Sequence, residues 1–182
     1  MIMSVDELRK YINSDETDEA LEAKLQALEL LIRAHTNNNF QIRAQRVKAD
    51  SLAEGKQMLI DGHIPFAVGD TLQITGSDYM LNELVTVKVV SDGVLTVGEP
   101  VETEKGIVLT KVKYPMDVKM GIINLMKWEI ENRDKVGVSS ETISRHSVTY
   151  FDMNGENSSM GYPKALLGFL KPYYKARFGR GV

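Results

Sequence analysis

The sequence predicts an α+β fold, in which a mainly α-helical domain carries an inserted small antiparallel β lobe. Apolar residues recur at helical spacing near both ends of the chain, and short β-branched runs separated by turn residues fill the middle. The 182 residues are 43% hydrophobic, enough to bury a core. We therefore expect a helical domain at residues 1–40 and 113–182 and a β sheet or barrel at residues 41–112.

Two helices are expected before residue 40. Ser4, with Glu7 three residues later, forms a capping box that begins a short helix over about Val5–Ile12. The second helix ends at "TNNNF", because asparagine favours left-handed backbone and turns. Its apolar residues follow one stripe, which faces a partner element. The stripe consists of Leu21, Leu25, Leu28 and Ile32.

The middle of the chain changes to the period of β-strands. The runs "HIPFAVGDTLQIT", "ELVTVKVV", "GVLTV" and "KGIVLTKV" are separated by the turn sequences "GSD", "SDG" and "TEKG". Their lengths and spacing fit a small antiparallel sheet or barrel. The alternation in "VGDTLQITG" places Val68, Leu72 and Ile74 on one face. Between Gln45 and Gly62 a first strand, followed by a loop or short helix, is expected.

Helical periodicity returns after residue 113. Pro115 suits the first turn of a helix, and the run that follows carries a broad apolar stripe. Trp128, the only tryptophan, is expected to anchor the core or an interface. An extended segment, "VSSETISRHSVTYFD", follows this helix. Pro163 then opens the short helix "YPKALLGFL", and Pro172 is expected to end it.

Composition excludes several classes of protein. The chain has no cysteine, so disulfides, thiolate nucleophiles and thiolate metal sites are excluded together. The first residues turn acidic and do not resemble a secretory leader. No stretch approaches the ~20 apolar residues of a membrane helix. We expect a soluble protein of the cell interior with no membrane partner.

The net charge of −3 hides a polarity along the chain. From Met1 to Ile32 eight acids accompany three bases, whereas from Lys164 to Val182 there are five bases and no acid. Such an arrangement suits self-association, or docking of a basic tail on an acidic surface. A solvated tail and a solvated helix face would show the same pattern.

One short segment contains the residue types of a serine hydrolase: Glu141, Ser144, His146 and Ser147. In a strand Ser144 and His146 would share a face and Ser147 would point away, and neither serine lies in a G-x-S-x-G elbow. The three histidines lack metal-ligand spacing, and "DETDE" lacks the pattern of a calcium loop. We expect no catalytic residues, no metal and no cofactor, and hence no enzyme; a small hydrolase built on His146 and a neighbouring serine stays open as an alternative.

Nucleic-acid binding stays open as an alternative function. The stretches "FQIRAQRVK" and "YYKARFGR" interleave basic and aromatic residues, as surfaces that contact phosphates or stack on bases do. Net acidity and the lack of a helix-turn-helix or zinc motif argue against sequence-specific binding. This alternative is an accessory module that uses the β lobe and the basic C-terminal tail.

The helical portions resemble the head–tail connector family of tailed bacteriophages, also called adaptor or head-completion proteins. The resemblance covers about Val5–Phe40 and Pro115–Phe178, and its most specific part is the ending "GVSSETISRHSVTY…GYPKALLGFLKPYYKAR". The β lobe departs from the all-helical minimal members of that family. The resemblance implies a virion protein, assembled in the host cytoplasm, that forms a homo-oligomeric ring of about twelve copies beneath the portal protein.

Such a ring would extend the DNA channel without sequence-specific binding and would carry the next neck or tail-completion protein. The C-terminal segment of these proteins commonly reaches the portal, and tyrosine and arginine are enriched at interface hot spots. The implied docking residues are Tyr173, Tyr174, Lys175, Arg177, Phe178 and Arg180. The extended segment is expected at a subunit or partner boundary, with contacts and anchors at Ile143, Arg145, His146 and Val148.

Overall fold

A computed structural model describes residues 1–52, 56–80, 83–132, 140–143, 146–149 and 156–176. The chain divides into two compact units. The barrel unit comprises Met1 and Asn39–Tyr114, and the helical unit comprises Ile2–Asn38 and Pro115–Val182.

The barrel unit is a closed barrel of six strands that pair antiparallel in the order β1-β2-β5-β4-β3-β6. In a closed barrel each strand has a neighbouring strand on both sides. The strands are β1 Gln41–Leu52, β2 Gln57–Leu59, β3 Thr71–Thr75, β4 Leu84–Ser91, β5 Val94–Val97 and β6 Glu104–Val112.

Side chains at every second position of the strands fill the barrel. This alternation follows from the two-residue period of a strand, which turns one set of side chains inward. The core is thus continuous from strand to strand, and it includes Leu72, Ile74, Val85, Val87, Leu95, Val97, Ile107 and Leu109. The "SDG" turn joins β4 to β5, where Gly93 has a φ of +69° that suits glycine.

The chain enters and leaves the barrel at neighbouring points. Gln41 at the start of β1 pairs with Val112 at the end of β6. One residue beyond each, Lys113 N–H donates to the Phe40 carbonyl at 3.0 Å. The rings of Phe40 and Tyr114 lie 4.9 Å apart. These contacts close the base of the barrel.

The helical unit contains three α-helices, a C-terminal 3₁₀ helix and two short hairpins within its described residues. The Ser4 side chain accepts the Glu7 N–H, as one half of the expected capping box, and the Thr17 side chain accepts the Ala20 N–H at the start of the second helix. The helices are α1 Val5–Leu8, α2 Asp18–Thr36, α3 Met116–Asn132 and the 3₁₀ helix Lys164–Tyr173. The hairpins are β7 Ser140–Ile143 with β8 His146–Thr149, and β9 Ser158–Ser159 with β10 Tyr162–Pro163.

The 3₁₀ helix packs closely on α3. Gly121 of α3 faces the Phe169 ring, and a Cβ atom at Gly121 would lie 2.5 Å from carbon atoms of that ring. Because real Cβ atoms essentially never come so close, the packing requires glycine at this position. Trp128 of α3 meets Tyr162 edge to face at 5.4 Å.

The expected fold class is wrong, because the protein is not mainly α-helical. The largest single structure is the closed barrel, and the described strands hold about as many residues as the described helices. The periodicity of residues 45–62 is weak because β1 is a long strand, Gln41–Leu52, that exposes much of both faces. No short helix follows it in residues 56–62.

Two local expectations are also wrong. Val68 does not share a buried face with Leu72 and Ile74, since it is 66% exposed in a turn that ends before β3. That turn is held by Asp70, whose carboxylate accepts the Ala67 N–H at 2.8 Å. Pro163 opens a helix as expected, here a 3₁₀ helix, but that helix includes Pro172 instead of ending there.

Candidate interaction site at the end of helix α2

The C-terminal end of α2 has the geometry of a Schellman cap. Asn37 adopts a left-handed φ of +50°, as the asparagine run predicts. Its N–H donates to the Ala34 carbonyl at 3.4 Å, and the Asn38 N–H donates to the Arg33 carbonyl at 3.2 Å. The backbone N–H groups of Asn37 and Asn38 thereby satisfy carbonyl groups in the last turns of α2, and the two side chains can bind other groups.

Those side chains bind the main chain of residues 173–176. The Asn38 amide donates to the Tyr173 carbonyl at 3.1 Å. The Asn37 amide donates to the carbonyls of Ala176, at 3.0 Å, and Lys175, at 3.4 Å. The Lys175 N–H donates in turn to the Thr36 carbonyl at 2.9 Å. We call this arrangement the asparagine clamp: Thr36, Asn37 and Asn38 holding the backbone of residues 173–176.

Tyrosine side chains reinforce the clamp from both sides. The Tyr173 hydroxyl lies 2.7 Å from each carboxylate oxygen of Asp117 at the start of α3. This hydrogen bond, with smaller contributions from burial and from the negative charge, raises the pKa of Tyr173 above its ordinary value. The Tyr174 hydroxyl is hydrogen-bonded to His35 Nε2, and the two rings pack edge to face at 5.2 Å.

The clamp separates the expected docking residues into different environments. The Tyr173 hydroxyl is bound inside its own unit, whereas Tyr174 is 48% exposed and Lys175 is exposed beside it. The remaining expected docking residues, Arg177, Phe178 and Arg180, lie outside the described residues.

The expected subunit-interface residues fall on the β7–β8 hairpin. Ile143 pairs with His146, and Glu141 pairs with Val148. Arg145 lies outside the described residues, as does Ser144, one of the two candidate hydrolase serines. The hairpin belongs to neither the barrel nor the β9–β10 sheet.

The acid-rich stretch at the start of α2 is partly neutralised, because two of its acids pair with basic side chains of the same unit. The Arg9 guanidinium contacts Asp18 Oδ1 at 2.6 Å and donates to the Ser14 and Glu16 carbonyls at 3.1 and 2.8 Å. Lys24 pairs with the Glu16 carboxylate at 2.5 Å. Across the described ranges no three histidine or carboxylate side chains form a group that could hold a metal ion.

Sequence reasoning missed the asparagine clamp. The run "TNNNF" by itself predicts only a helix stop, because the partner main chain lies more than 130 residues away. The one available signal was that a helix stop needs a single left-handed residue, whereas the sequence supplies three successive asparagines.

Comparison with known proteins adds no relative. A scan against protein-family models finds no match, and a search of curated proteins finds none either. In the described part of the chain no helix is both long and apolar enough to cross a lipid bilayer.

Proposed function

We propose that this chain is a structural head–tail connector, or adaptor, of a tailed bacteriophage. In this role it forms a homo-oligomeric ring beneath the portal protein, extends the DNA channel and carries the next neck or tail-completion protein. The sequence resemblance of the helical portions motivates the proposal. The observation that supports it most is the asparagine clamp, which fixes the main chain as far as Ala176, directly before the basic and aromatic residues of the expected docking segment.

The clamp suits a docking arm because it binds backbone atoms. Three carbonyls and one N–H of residues 173–176 are held, while the side chains of Tyr174 and Lys175 stay exposed. Because the asparagine clamp already holds residues 173–176 in one conformation, these residues lose little further conformational entropy when they bind a partner. In the proposed complex Tyr174, Lys175, Arg177, Phe178 and Arg180 contact the portal, and Tyr173 secures the root.

The β7–β8 hairpin is the proposed contact between neighbouring subunits. A two-stranded hairpin on its own is at best marginally stable in water. Packing against a neighbouring copy would stabilise it, and a head-to-tail contact of this kind closes into a ring when the rotation between copies allows. The proposed contacts there are Ile143, Arg145, His146 and Val148, in a ring of about twelve copies.

The proposal is tested by binding to purified portal protein of the same phage. Deleting residues 177–182 removes Arg177, Phe178 and Arg180 but keeps the clamp, so we expect a folded chain that no longer attaches to the portal. Pull-down and electron microscopy measure attachment, and the fluorescence of Trp128 reports whether the helical unit is folded. Normal attachment of the truncated, folded chain would contradict the proposal.

A second variant separates docking from folding. Lys175→Glu reverses one exposed charge at the root of the arm without removing a clamp hydrogen bond, since Lys175 uses only backbone atoms there. We expect weaker portal attachment and unchanged unfolding. Lys127→Glu, at an exposed position of α3, is the matched control and should attach normally.

One observation favours a second candidate, an accessory module that binds nucleic acid. Strand β1 exposes Arg43, Arg46 and Lys48 on the barrel, a basic strip that could contact phosphates. If all three contact single-stranded DNA, the logarithm of affinity should fall with the logarithm of salt concentration with a slope of about −2. Filter binding at several salt concentrations measures the slope. DNA binding that Arg43→Ser and Lys48→Ser leave unchanged would show that these side chains do not contact the DNA.

A further inference from the structure

Helix α2 has a second apolar face, which its own unit leaves exposed. At 3.6 residues per turn, six apolar residues fall on an arc of about 100° on the side opposite the buried stripe. Leu30 is 64% exposed, and no polar residue interrupts the arc over four turns. We call this arc the outer face of α2: Ala20, Ala23, Ala27, Leu30, Leu31 and Ala34.

A groove continues the outer face toward α3. Its volume is about 240 Å³, and Ala27 and Leu31 line it together with Met126 of α3. The polar groups at its rim already have partners, because Lys24 pairs with Glu16 at 2.5 Å and Glu129 accepts the Tyr162 hydroxyl at 2.7 Å. The groove therefore suits an apolar side chain rather than a polar ligand.

Charge along α2 determines which occupant fits. The first turn carries Asp18 and Glu19, followed by exposed Glu22. At the other end Arg33 is buried and lies off the outer face, and the exposed base is Lys175 of the asparagine clamp. Over its 19 residues α2 is about 28 Å long, so one end of the outer face is acidic and the other is basic.

We infer that the outer face of α2 binds the same face of a second copy of this chain, antiparallel and about a two-fold axis near Ala27. Only the antiparallel arrangement brings each acidic end against a basic end, and it also opposes the two helix dipoles. A parallel pair would place like charges side by side.

The distribution of large and small residues fits the same arrangement. With the axis at Ala27, Leu30 of one copy lies opposite Ala23 of the other, and Ala20 lies opposite Ala34. The small side chain at the axis allows the helices to approach closely. Leu31, on the groove side, lies opposite the stretch 23–24 of the other copy and reaches that copy's groove. Leu30 thus packs against a small side chain of the other copy and Leu31 against its groove, and neither packs against another leucine.

This contact goes beyond the proposed connector role and does not depend on it. In a two-fold dimer the outer face of each copy binds that of the other, so neither outer face can contact a third copy and extend a ring. The antiparallel dimer is therefore a form of the chain outside any ring, and a ring that used the outer face would have to replace it.

The absence of cysteine makes the symmetry directly testable. Ala27→Cys gives the full chain a single thiol, which on a two-fold axis meets its own copy. We expect mild oxidation to yield a disulfide-linked dimer. Gln26→Cys, also at an exposed position but about 100° around the helix, is the matched control and should link far less.

Sedimentation of the unmodified chain supplies an independent measurement. We expect a concentration-dependent dimer whose dissociation constant Leu30→Glu raises at least about tenfold, while Gln26→Glu changes it little. Circular dichroism checks that both variants fold. A chain that stays monomeric, or that assembles while Ala27→Cys links no more than Gln26→Cys, would overturn the inference.

Discussion

The two units treat their apolar surface differently. The barrel unit closes its sheet on itself and encloses one core, and the exposed large apolar side chains of its described residues are spread over strands β1, β2 and β4 and the loops flanking β3: Leu52, Leu59, Val68, Tyr79, Val89 and Val90. The helical unit has a helix with two apolar faces, of which only one is buried. A closed barrel pairs its strands and buries its core within one unit. A helix with two apolar faces can bury the second face only against another element or another chain. Intermolecular contacts of this chain are therefore expected mainly in the helical unit.

The largest effect should come from the barrel core. Leu109 is fully buried, so Leu109→Ala should destabilise the barrel by about 2–5 kcal/mol through lost burial and a residual cavity. Leu59→Ala, at a 43% exposed site of the same barrel, should cost much less. Hydrogen exchange of barrel amides measures both. Equal costs would mean that the barrel does not depend on its enclosed core.

A somewhat smaller effect is expected where α3 meets the 3₁₀ helix. Gly121→Ala places a methyl group against the Phe169 ring, and such overpacking costs about 1–3 kcal/mol, which offsets or exceeds the ~1 kcal/mol that alanine gains in helix propensity. Denaturation followed by Trp128 fluorescence reports the helical unit, since Trp128 is the only tryptophan. Gly168→Ala, with open space at its Cβ, should be nearly neutral.

The added methyl group can also be accommodated by a second change. Phe169→Leu in the Gly121→Ala background should recover part of the lost stability, because it removes the ring that the methyl group meets. If Gly121→Ala alone stabilises the unit, the close packing of these two helices is not a constraint.

The smallest effect concerns the tyrosine beside the asparagine clamp. Because the pKa of Tyr173 is raised in the folded chain, its hydrogen bond contributes fully below the unfolded tyrosine pKa of about 10 and is lost as pH rises through the folded value. Tyr173→Phe should lower stability by about 1 kcal/mol near neutral pH. The difference from the unmodified chain should vanish at high pH.

Trp128 fluorescence at several pH values follows this loss. Tyr11→Phe, at a 48% exposed site of the same unit, is the control and should leave stability nearly unchanged at every pH. A Tyr173→Phe deficit that persists at the most alkaline pH would show that ionisation of this hydroxyl does not break the contact.

Local periodicity predicted α2 and α3 well, whereas α1 ends at Leu8 and not at about Ile12. The stripe of α2 is buried as expected, and α3 begins directly after Pro115 with Val118, Ile122 and Leu125 buried. The outer face of α2 was missed because alanine favours helix whether it is buried or exposed, so its spacing alone does not indicate a second face.

Contacts between distant segments could not be predicted in the same way. The asparagine clamp joins residues 36–38 to residues 173–176, and no local pattern encodes that pairing. Val68 shows the related limit within the barrel. Its place in the alternation pointed inward, but the Asp70 carboxylate holds a turn there and the strand begins only at Thr71.

The neighbouring ends of the barrel have a consequence for engineering the chain. Since Gln41 pairs with Val112 and the Phe40 carbonyl accepts the Lys113 N–H, a short turn could join the two strand ends that now flank the whole lobe. Deleting the barrel and joining residues 40 and 113 by a short turn would remove the whole lobe, and the new connection would span only a short distance. The neighbouring strand ends therefore mark the point at which another module could be grafted in place of the lobe.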